Sequence, residues 1–243
     1  MAASKPPGVR QSNEVRLSRA KVIALLGMVA LIIAVAVIFG EVRARHVDSR
    51  RAELIYFEKR SRALLYQARQ RPSGGVIALG DSITELTHFT ELCGRPALNA
   101  GMTGARLEDI VPLADRIVPI VQPDIVAVAI GINDSRKNYH TPIAAWESAY
   151  RRLLKKLAGR RVILIEIQPV EDGKPVGSDY FDRASIAERN RVIRRLGRSF
   201  HIPVVAAPAS AEGLTEDGAH PNPEGARRWL ARVADACPNA EPS

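Results

Sequence analysis

A serine and a downstream aspartate–histidine pair are the residues of this chain best suited to carry out chemistry. Ser82 lies in the segment Gly-Asp-Ser-Ile-Thr at 80–84, directly after the apolar run 76–79. Asp217 and His220 belong to one short segment, Asp-Gly-Ala-His. A serine hydroxyl is a weak nucleophile at its ordinary pKa, so it needs a base, and the base needs an orienting acid. These residue types indicate attack by a serine on a carbonyl carbon.

Two further segments offer the hydrogen-bond donors that such a reaction needs. They are Asn-Ala-Gly at 99–101 and Gly-Ile-Asn-Asp at 131–134. The tetrahedral intermediate of acyl transfer carries a negative oxygen, which must be met by donors held in place beforehand. The chain therefore contains candidates for the nucleophile, the base, the orienting acid and the oxyanion donors.

The elements that must position these residues follow a strand–helix alternation. The predicted strands are short apolar runs at 76–79, 97–99, 125–130, 162–167 and 204–207. Helical patterns with charged outer faces lie between them, for example at 143–157 and 185–198. Strands that are apolar throughout are typical of a parallel sheet covered on both faces. This rhythm predicts a three-layer α/β/α sandwich with a parallel five-stranded sheet.

The polar segments all fall just after predicted strands. Ser82 follows the first strand, Gly101 the second and Asn133 the third, while Asp217 and His220 lie beyond the fifth. Ligands of open parallel sheets bind at the carboxyl ends of the strands. We therefore expect four separate segments to meet at one edge of the sheet.

Each segment also has a purely structural explanation. Ser82 and Glu85 have the spacing of a capping box, Gly101 suits a turn, and segment 131–134 could cap the next helix. Asp217 begins an Asp-Gly pair that is common in turns. These explanations give no reason for all the segments to occur in this order at strand ends, so together they favour an active site.

In these segments the chain resembles the SGNH hydrolases, also called GDSL esterases or lipases. The resemblance covers about residues 74–234 and rests on the four blocks at 80–82, 99–101, 131–134 and 217–220. Members of this family have a flavodoxin-like fold. In α/β-hydrolases the nucleophilic serine lies in the sequence G-x-S-x-G. This chain has Thr84 in place of the second glycine, and this difference separates it from the α/β-hydrolases.

The resemblance implies a role for each residue. Ser82 would attack an ester carbonyl, His220 would accept and return the proton, and Asp217 would orient the imidazole. The oxyanion would be bound by the backbone N–H groups of Ser82 and Gly101 and by the amide of Asn133. No cofactor and no metal are implied, and no His, Cys, Asp or Glu group has the spacing of a metal site.

The other histidines are weaker candidates for the base. His46 lies in the predicted stalk, and His140 and His201 have a cation, not an acid, three positions before them. His88 has Glu85 three positions before it, on the helix predicted to start at Ser82, where such a pair more often makes a surface contact.

An uncharged segment at 22–40 predicts a single membrane span, because 19 residues reach about 28 Å as a helix. A cleaved signal peptide is the alternative, since basic residues precede the segment. A short basic tail resists translocation, which places the folded domain outside the cytoplasm, in the periplasm or extracellular space. The predicted organisation is a basic tail at 1–21, the anchor at 22–40, a helical stalk or docked helix at 41–73, the hydrolase domain at 74–237 and a polar tail at 238–243.

Charge argues against nucleic acid as a partner. The net charge is +9, but residues 1–71 hold 14 basic and 5 acidic residues, which leaves 21 of each in the remainder. A nucleic-acid-binding domain needs its surplus on the folded surface that meets phosphate. The two cysteines, Cys93 and Cys237, could form one disulfide in an oxidising compartment or remain buried thiols.

The substrate is left open by the sequence. The segments 135–142 and 168–183 follow strand ends and should wall the pocket, but their side chains do not select one acyl group. The residues concerned are Lys137, Tyr139, Lys174, Tyr180 and Phe181. Lysophospholipid or another lipid ester, and O-acetyl groups on envelope glycans, are both compatible with an anchored enzyme. Acyl transfer on the same residues and a non-catalytic envelope-binding protein are the alternative functions.

Overall fold

The computed structural model describes residues 19–139 and 141–237, apart from the side chains of residues 20, 22, 25 and 44–50. The described part of the chain divides between Ala52 and Glu53 into two compact units. Helix α1, Arg19–Arg69, begins in the first unit and ends in the second. Residues 1–18 of the basic tail predicted at 1–21, the whole polar tail predicted at 238–243, and His140 lie outside the described residues.

The first unit contains the apolar part of α1. Within the described part of the chain, this is the one helix long and apolar enough to cross a membrane, with the best window at Leu26–Arg43 and a mean hydropathy of 2.2. Its large apolar side chains, such as Leu31 and Phe39, are exposed. A continuous apolar surface of this kind needs an apolar environment, and a membrane span or a signal sequence would both account for it.

The second unit includes the end of α1, from Glu53 onward. Phe57, Leu64, Leu65 and Ala68 are buried in the main core, whereas Leu54 is half exposed. This part of the predicted stalk is therefore a helix docked on the domain. The compact unit starts within the segment predicted as stalk, not at residue 74.

The sheet is mostly parallel, as the sequence predicted, but it has six strands and not five. The strands are β1 Val76–Gly80, β2 Glu91–Leu92, β3 Arg95–Gly101, β4 Ile125–Ala129, β5 Arg161–Ile165 and β6 Val204–Val205. Their order is β2-β3-β1-β4-β5-β6, and only β2 runs antiparallel to its neighbour. The additional strand pairs two residues across a tight turn in which Cys93 and Gly94 both have positive φ. A two-residue strand is too short to show an alternating pattern.

Helices cover both faces of the sheet. After α1 they are α2 Ser82–Leu86, α3 Leu107–Val121, α4 Ile143–Lys156, α5 Arg183–Phe200 and α6 Pro223–Asp235. Alternate residues of a strand point to opposite faces of the sheet and belong to two separate cores. Ile77 and Leu79 lie in the core that contains residues of α1, α3, α4 and α5. Val76 and Ala78 lie in the core that contains Trp229 of α6. The predicted three-layer architecture is confirmed.

Cys93 and Cys237 form a disulfide with their Cα atoms 5.4 Å apart. The bond joins the turn after β2 to the residues that follow α6. Of the two alternatives that the sequence allowed, the structure contains the bonded form.

Candidate active site

Ser82 is the first residue of α2, at the carboxyl end of the central strand β1. Asp81 caps this helix: its backbone is extended, and its side-chain Oδ1 atom accepts the N–H of Ile83 at 3.0 Å. The capping box of Ser82 and Glu85 that the sequence suggested is therefore absent, and the Ser82 hydroxyl is not used for capping. Gly80 allows close packing at the end of β1, since a Cβ there would lie 2.0 Å from the Oγ1 atom of Thr84 and 2.7 Å from the carbonyl oxygen of Ala129.

The structure brings Ser82, His220 and Asp217 together from opposite ends of the domain. The Nε2 atom of His220 lies 2.9 Å from the Oγ atom of Ser82, and its Nδ1 atom lies 2.6 Å from the Oδ2 atom of Asp217. If Nδ1 donates to the carboxylate, Nε2 is left to accept the serine proton. The arrangement can therefore generate a serine nucleophile.

Asp217 is held as a carboxylate by its own loop. Its Oδ1 atom accepts the backbone N–H groups of Ala219 at 3.1 Å and His220 at 2.9 Å. Burial favours the neutral acid, but hydrogen bonds from His220 and Ala219 outweigh it and hold the pKa of Asp217 below its ordinary value. The negative charge needed to orient the imidazole is thus present at neutral pH.

The segment after β5 makes hydrogen bonds to the loop that carries Asp217 and His220. Gln168 donates its side-chain N–H to the carbonyl of Ala219 at 2.6 Å, and the N–H of Val176 donates to the carbonyl of Asp217 at 2.8 Å. Gly218 has a φ of +112°, and a Cβ there would lie 2.7 Å from the backbone nitrogen of Gly177. Only glycine allows these two loops to approach so closely.

Ser82 and His220 open into a cavity of about 290 Å³. Its other lining residues are Ile83, Thr103, Gly104, Ile132, Asn133, Arg136, Val176, Tyr180, Phe181 and Ala219. Of the five side chains expected to wall the pocket, only Tyr180 and Phe181 line it; Lys137, Tyr139 and Lys174 do not. Lys174 instead donates to the carbonyl of Thr215 at 2.5 Å.

Asn133 presents its amide to this cavity in a fixed orientation. The side chain is buried, its Nδ2 atom donates to the carbonyl of Ala105 at 3.0 Å, and its Oδ1 atom accepts from Nε and Nη2 of Arg136 at 3.0 and 2.7 Å. A carboxamide nitrogen carries two hydrogens, so one N–H can still serve a ligand in the cavity.

Gly101, expected as an oxyanion donor, is not available for that role. Its N–H donates to the Oδ1 atom of Asn99 at 3.0 Å, and Gly101 is not among the cavity-lining residues. A Cβ there would lie 2.3 Å from the nitrogen of Glu85, so this glycine permits close packing of β3 against α2. The expectation was wrong because the neighbouring Asn99 side chain occupies the N–H.

Gly104, and not Gly101, lines the cavity that contains Ser82. It has a φ of +79° in the turn closed by the N–H of Ala105 and the carbonyl of Met102, 3.0 Å apart. Within the described part of the chain the Gly104 N–H has no acceptor. A second glycine three positions after the Asn-Ala-Gly block was the available signal in the sequence.

Arg136 is a second residue that sequence reasoning missed. Besides binding Asn133, its guanidinium lies 5.3 Å from the ring centre of Tyr180 and makes an ion pair with Glu53, with Nη1 and Oε1 3.6 Å apart. It lies within segment 135–142, which was expected to wall the pocket. Nothing in its spacing indicated that it would bind the amide oxygen of Asn133.

Two buried carboxyl groups lie behind the site. Burial raises the pKa of Asp81 to about 7, and it raises the pKa of Asp134 to about 6 although the N–H of Leu107 donates to that carboxyl at 3.1 Å. Neither residue contacts the reacting atoms of Ser82 and His220. Their hydrogen bonds hold the starts of α2 and α3 in place.

Two of the other histidines, His88 and His201, are described in the structure with their side chains, and neither competes with His220. His88 is exposed and lies beyond the end of α2, so it is not on the helix that the sequence predicted, and Glu85 bonds instead to Tyr56 and Thr103. His201 is exposed at the end of α5. In residues 19–139 and 141–237, no group of three or more His, Cys, Asp or Glu side chains is placed to hold a metal ion.

Comparison with known proteins gives a consistent picture. Residues 78–228 match the family described as GDSL-like Lipase/Acylhydrolase, whereas no curated protein sequence matches. The fold is shared with a lipase/acylhydrolase from Enterococcus faecalis, at 21% identity and a TM-score of 0.57 over 68% of this chain and 94% of that one. It is also shared with a GDSL-like lipase from Bacteroides thetaiotaomicron, at 19% identity and a TM-score of 0.62 over 73% and 96%. A catalytic mutant of an acetylxylan esterase from Geobacillus stearothermophilus matches at 19% identity and a TM-score of 0.52 over 67% and 93%.

Proposed function

Because the chain belongs to the GDSL-like lipase/acylhydrolase family, we propose that it hydrolyses carboxylic esters through Ser82, His220 and Asp217 while anchored in a membrane by its N-terminal helix. The family match makes it an SGNH-type hydrolase. The observation that carries the residue assignment is the chain of short contacts from Asp217 to His220 to Ser82, at 2.6 and 2.9 Å, which ends at a cavity.

The proposed reaction has two halves. The Ser82 oxygen attacks the ester carbonyl carbon while His220 Nε2 takes the hydroxyl proton, and collapse of the tetrahedral intermediate passes that proton to the departing alcohol. Water then gives a proton to the same nitrogen as it attacks the acyl-enzyme, and collapse of the second tetrahedral intermediate returns that proton to the Ser82 oxygen as the acid leaves. Asp217 keeps the imidazole oriented and stabilises its protonated form in both halves.

The oxyanion of each intermediate would be bound by the N–H of Ser82, the N–H of Gly104 and the amide of Asn133. This set replaces Gly101 by Gly104, because the Gly101 N–H is already bonded to Asn99. Arg136 supports the set by binding the amide oxygen of Asn133 from the opposite side. Charged donors to that oxygen polarise the carboxamide and strengthen its N–H as a donor.

The cavity favours a short acyl group. Its volume of about 290 Å³ is at the lower end of ligand pockets, which are about 300–1,000 Å³. Phe181, Val176 and Ile132 give part of its wall an apolar surface. Acetylxylan esterases are among the proteins that share the fold, which agrees with an O-acetyl ester. Turnover of long acyl chains would instead favour a lipid ester.

We propose that the enzyme acts outside the cytoplasm. Two observations support this placement: an apolar helix near the N-terminus and a disulfide between Cys93 and Cys237. Disulfides persist in oxidising compartments and are rare in the cytosol. The size of the mature protein in the membrane fraction distinguishes an anchor from a cleaved signal, because cleavage removes the apolar segment.

The test is hydrolysis of p-nitrophenyl esters, from acetyl to long acyl chains, by the full chain in detergent. Ser82→Ala should lower turnover by about 10³-fold or more, and it should abolish covalent labelling by a fluorophosphonate. Ser148→Ala is the matched control, because that serine is exposed on α4. Full turnover by Ser82→Ala would reject the mechanism. Acyl transfer to an added alcohol in preference to water would identify a transferase.

A further inference from the structure

The docked end of α1 contacts the turn that carries Gly104. We propose that Tyr56 and Arg60 of this helix, together with Glu85, are positioning residues that hold the oxyanion turn, an inference that rests on the proposed function. None of the three residues lines the cavity, so they act on the reaction by positioning residues that do.

Arg60 binds the strand end from which the turn begins. Its Nε atom donates to the carbonyl of Gly101 at 3.1 Å, and its Nη2 atom donates to the carbonyl of Asn99 at 3.3 Å. The side chain is only 21% exposed. A partly buried guanidinium that is bonded to two successive carbonyls on one side of a strand fixes the direction in which the chain leaves that strand.

Glu85 holds the other side of the same turn. Its Oε2 atom accepts the backbone N–H of Thr103, the residue before Gly104, at 2.5 Å. The Tyr56 hydroxyl lies 2.7 and 2.6 Å from the two carboxylate oxygens, and Arg60 makes an ion pair with Oε1 at 3.2 Å. Glu85 belongs to α2, three residues after Ser82. One carboxylate therefore links the nucleophile helix, the oxyanion turn and α1.

The charges in this cluster depend on one another. Burial and the neighbouring Glu85 carboxylate both raise the pKa of Tyr56, so its hydroxyl remains a donor over the working pH range. Loss of the Arg60 guanidinium would leave Glu85 without this counter-ion and the Asn99 and Gly101 carbonyls without these donors. The turn would then relax. A displacement of about 1 Å in a catalytic group can cost about 10²-fold in rate, whereas the apolar wall formed by Phe181, Val176 and Ile132 would be unchanged.

The experiment compares Arg60→Met with Arg62→Met in the full chain, with p-nitrophenyl acetate as the substrate. Arg62 is the matched control because it lies on the same helix, is 75% exposed and pairs only with Glu58 among the described residues. Arg60→Met should lower kcat per titrated active site by about 10- to 100-fold with KM nearly unchanged. Arg60→Lys should recover part of the loss, and Arg62→Met should match the wild type.

Several outcomes would overturn the inference. An Arg60→Met variant with unchanged kcat, or with a higher KM and the wild-type kcat, would show that Arg60 does not position the turn. If Arg60→Met does not fold, Tyr56→Phe decides, because it removes one oxygen atom and should lower kcat about threefold to tenfold; an unchanged kcat overturns the inference. If turnover depends on Ser82 but is the same in Arg60→Met and Tyr56→Phe as in the wild type, only this inference is refuted. If Ser82→Ala retains turnover, the proposed function is refuted.

Discussion

Replacement of Asn133 by alanine should separate transition-state stabilisation from folding. The side chain makes three hydrogen bonds, one to the carbonyl of Ala105 and two from Arg136. It also supplies one of the three proposed oxyanion donors. We expect Asn133→Ala to lower kcat much more than its effect on stability would explain.

The size of each effect follows from these contacts. Loss of one oxyanion donor typically raises the barrier by about 2.7–4 kcal/mol, which is about 10²- to 10³-fold in kcat. The carbonyl of Ala105, a fully buried residue, would lose this donor, and such a loss costs about 1–3 kcal/mol of unfolding free energy. Arg136 would keep its contacts with Glu53 and Tyr180, so the local fold should persist.

The assay is steady-state hydrolysis of p-nitrophenyl acetate, combined with urea denaturation of each variant. Asn190→Ala is the matched control. Asn190 is also a buried asparagine, and its side chain donates to the carbonyl and accepts from the N–H of Ile167, both at 2.8 Å. It does not line the cavity that contains Ser82. Asn190→Ala should therefore lose similar stability and retain kcat.

One result would refute the reasoning. If folded Asn133→Ala keeps kcat within about threefold of the wild type, where loss of a donor should cost about 10²-fold or more, the amide does not bind the oxyanion. An equal loss of kcat in both asparagine variants would attribute the effect to stability and not to catalysis.

Two further predictions concern the stability of the domain. The disulfide between Cys93 and Cys237 closes a segment of 144 residues, so reduction or a double serine variant should lower the unfolding free energy by about 3–5 kcal/mol. Urea denaturation with and without reductant measures this, and an unchanged midpoint would contradict it. Burial raises the pKa of Asp81 from 3.8 to about 7 in the folded state, so between these values the folded state binds more protons and stability falls as pH rises. Asp81→Asn lacks this titration, so its melting temperature should rise relative to that of the wild type between pH 4 and pH 8. A difference in melting temperature that does not change with pH would contradict this prediction.

Much of the fold could be predicted because it depends on local pattern. Apolar strands such as β1 and β4 and amphipathic helices such as α4 and α5 bury faces that are set by the order of residues along a short segment. Ser82 and Asn133 each follow a predicted strand in the sequence. Because the carboxyl ends of parallel strands lie at one edge of the sheet, the two residues could be predicted to meet there. The short strand β2 was missed because two residues carry no periodicity.

The sequence by itself determined which residue types could form the site and at which edge of the sheet they would meet. Only the tertiary structure decided which donors are free and which groups hold them. The N–H of Gly101 is lost to Asn99, and Gly104 lines the cavity instead. The contact between Tyr56 and Glu85 joins residues 29 positions apart, and the disulfide joins residues 144 apart. Hydrogen bonds depend on direction and on distances of about 3 Å, and residue order fixes neither until distant segments have packed.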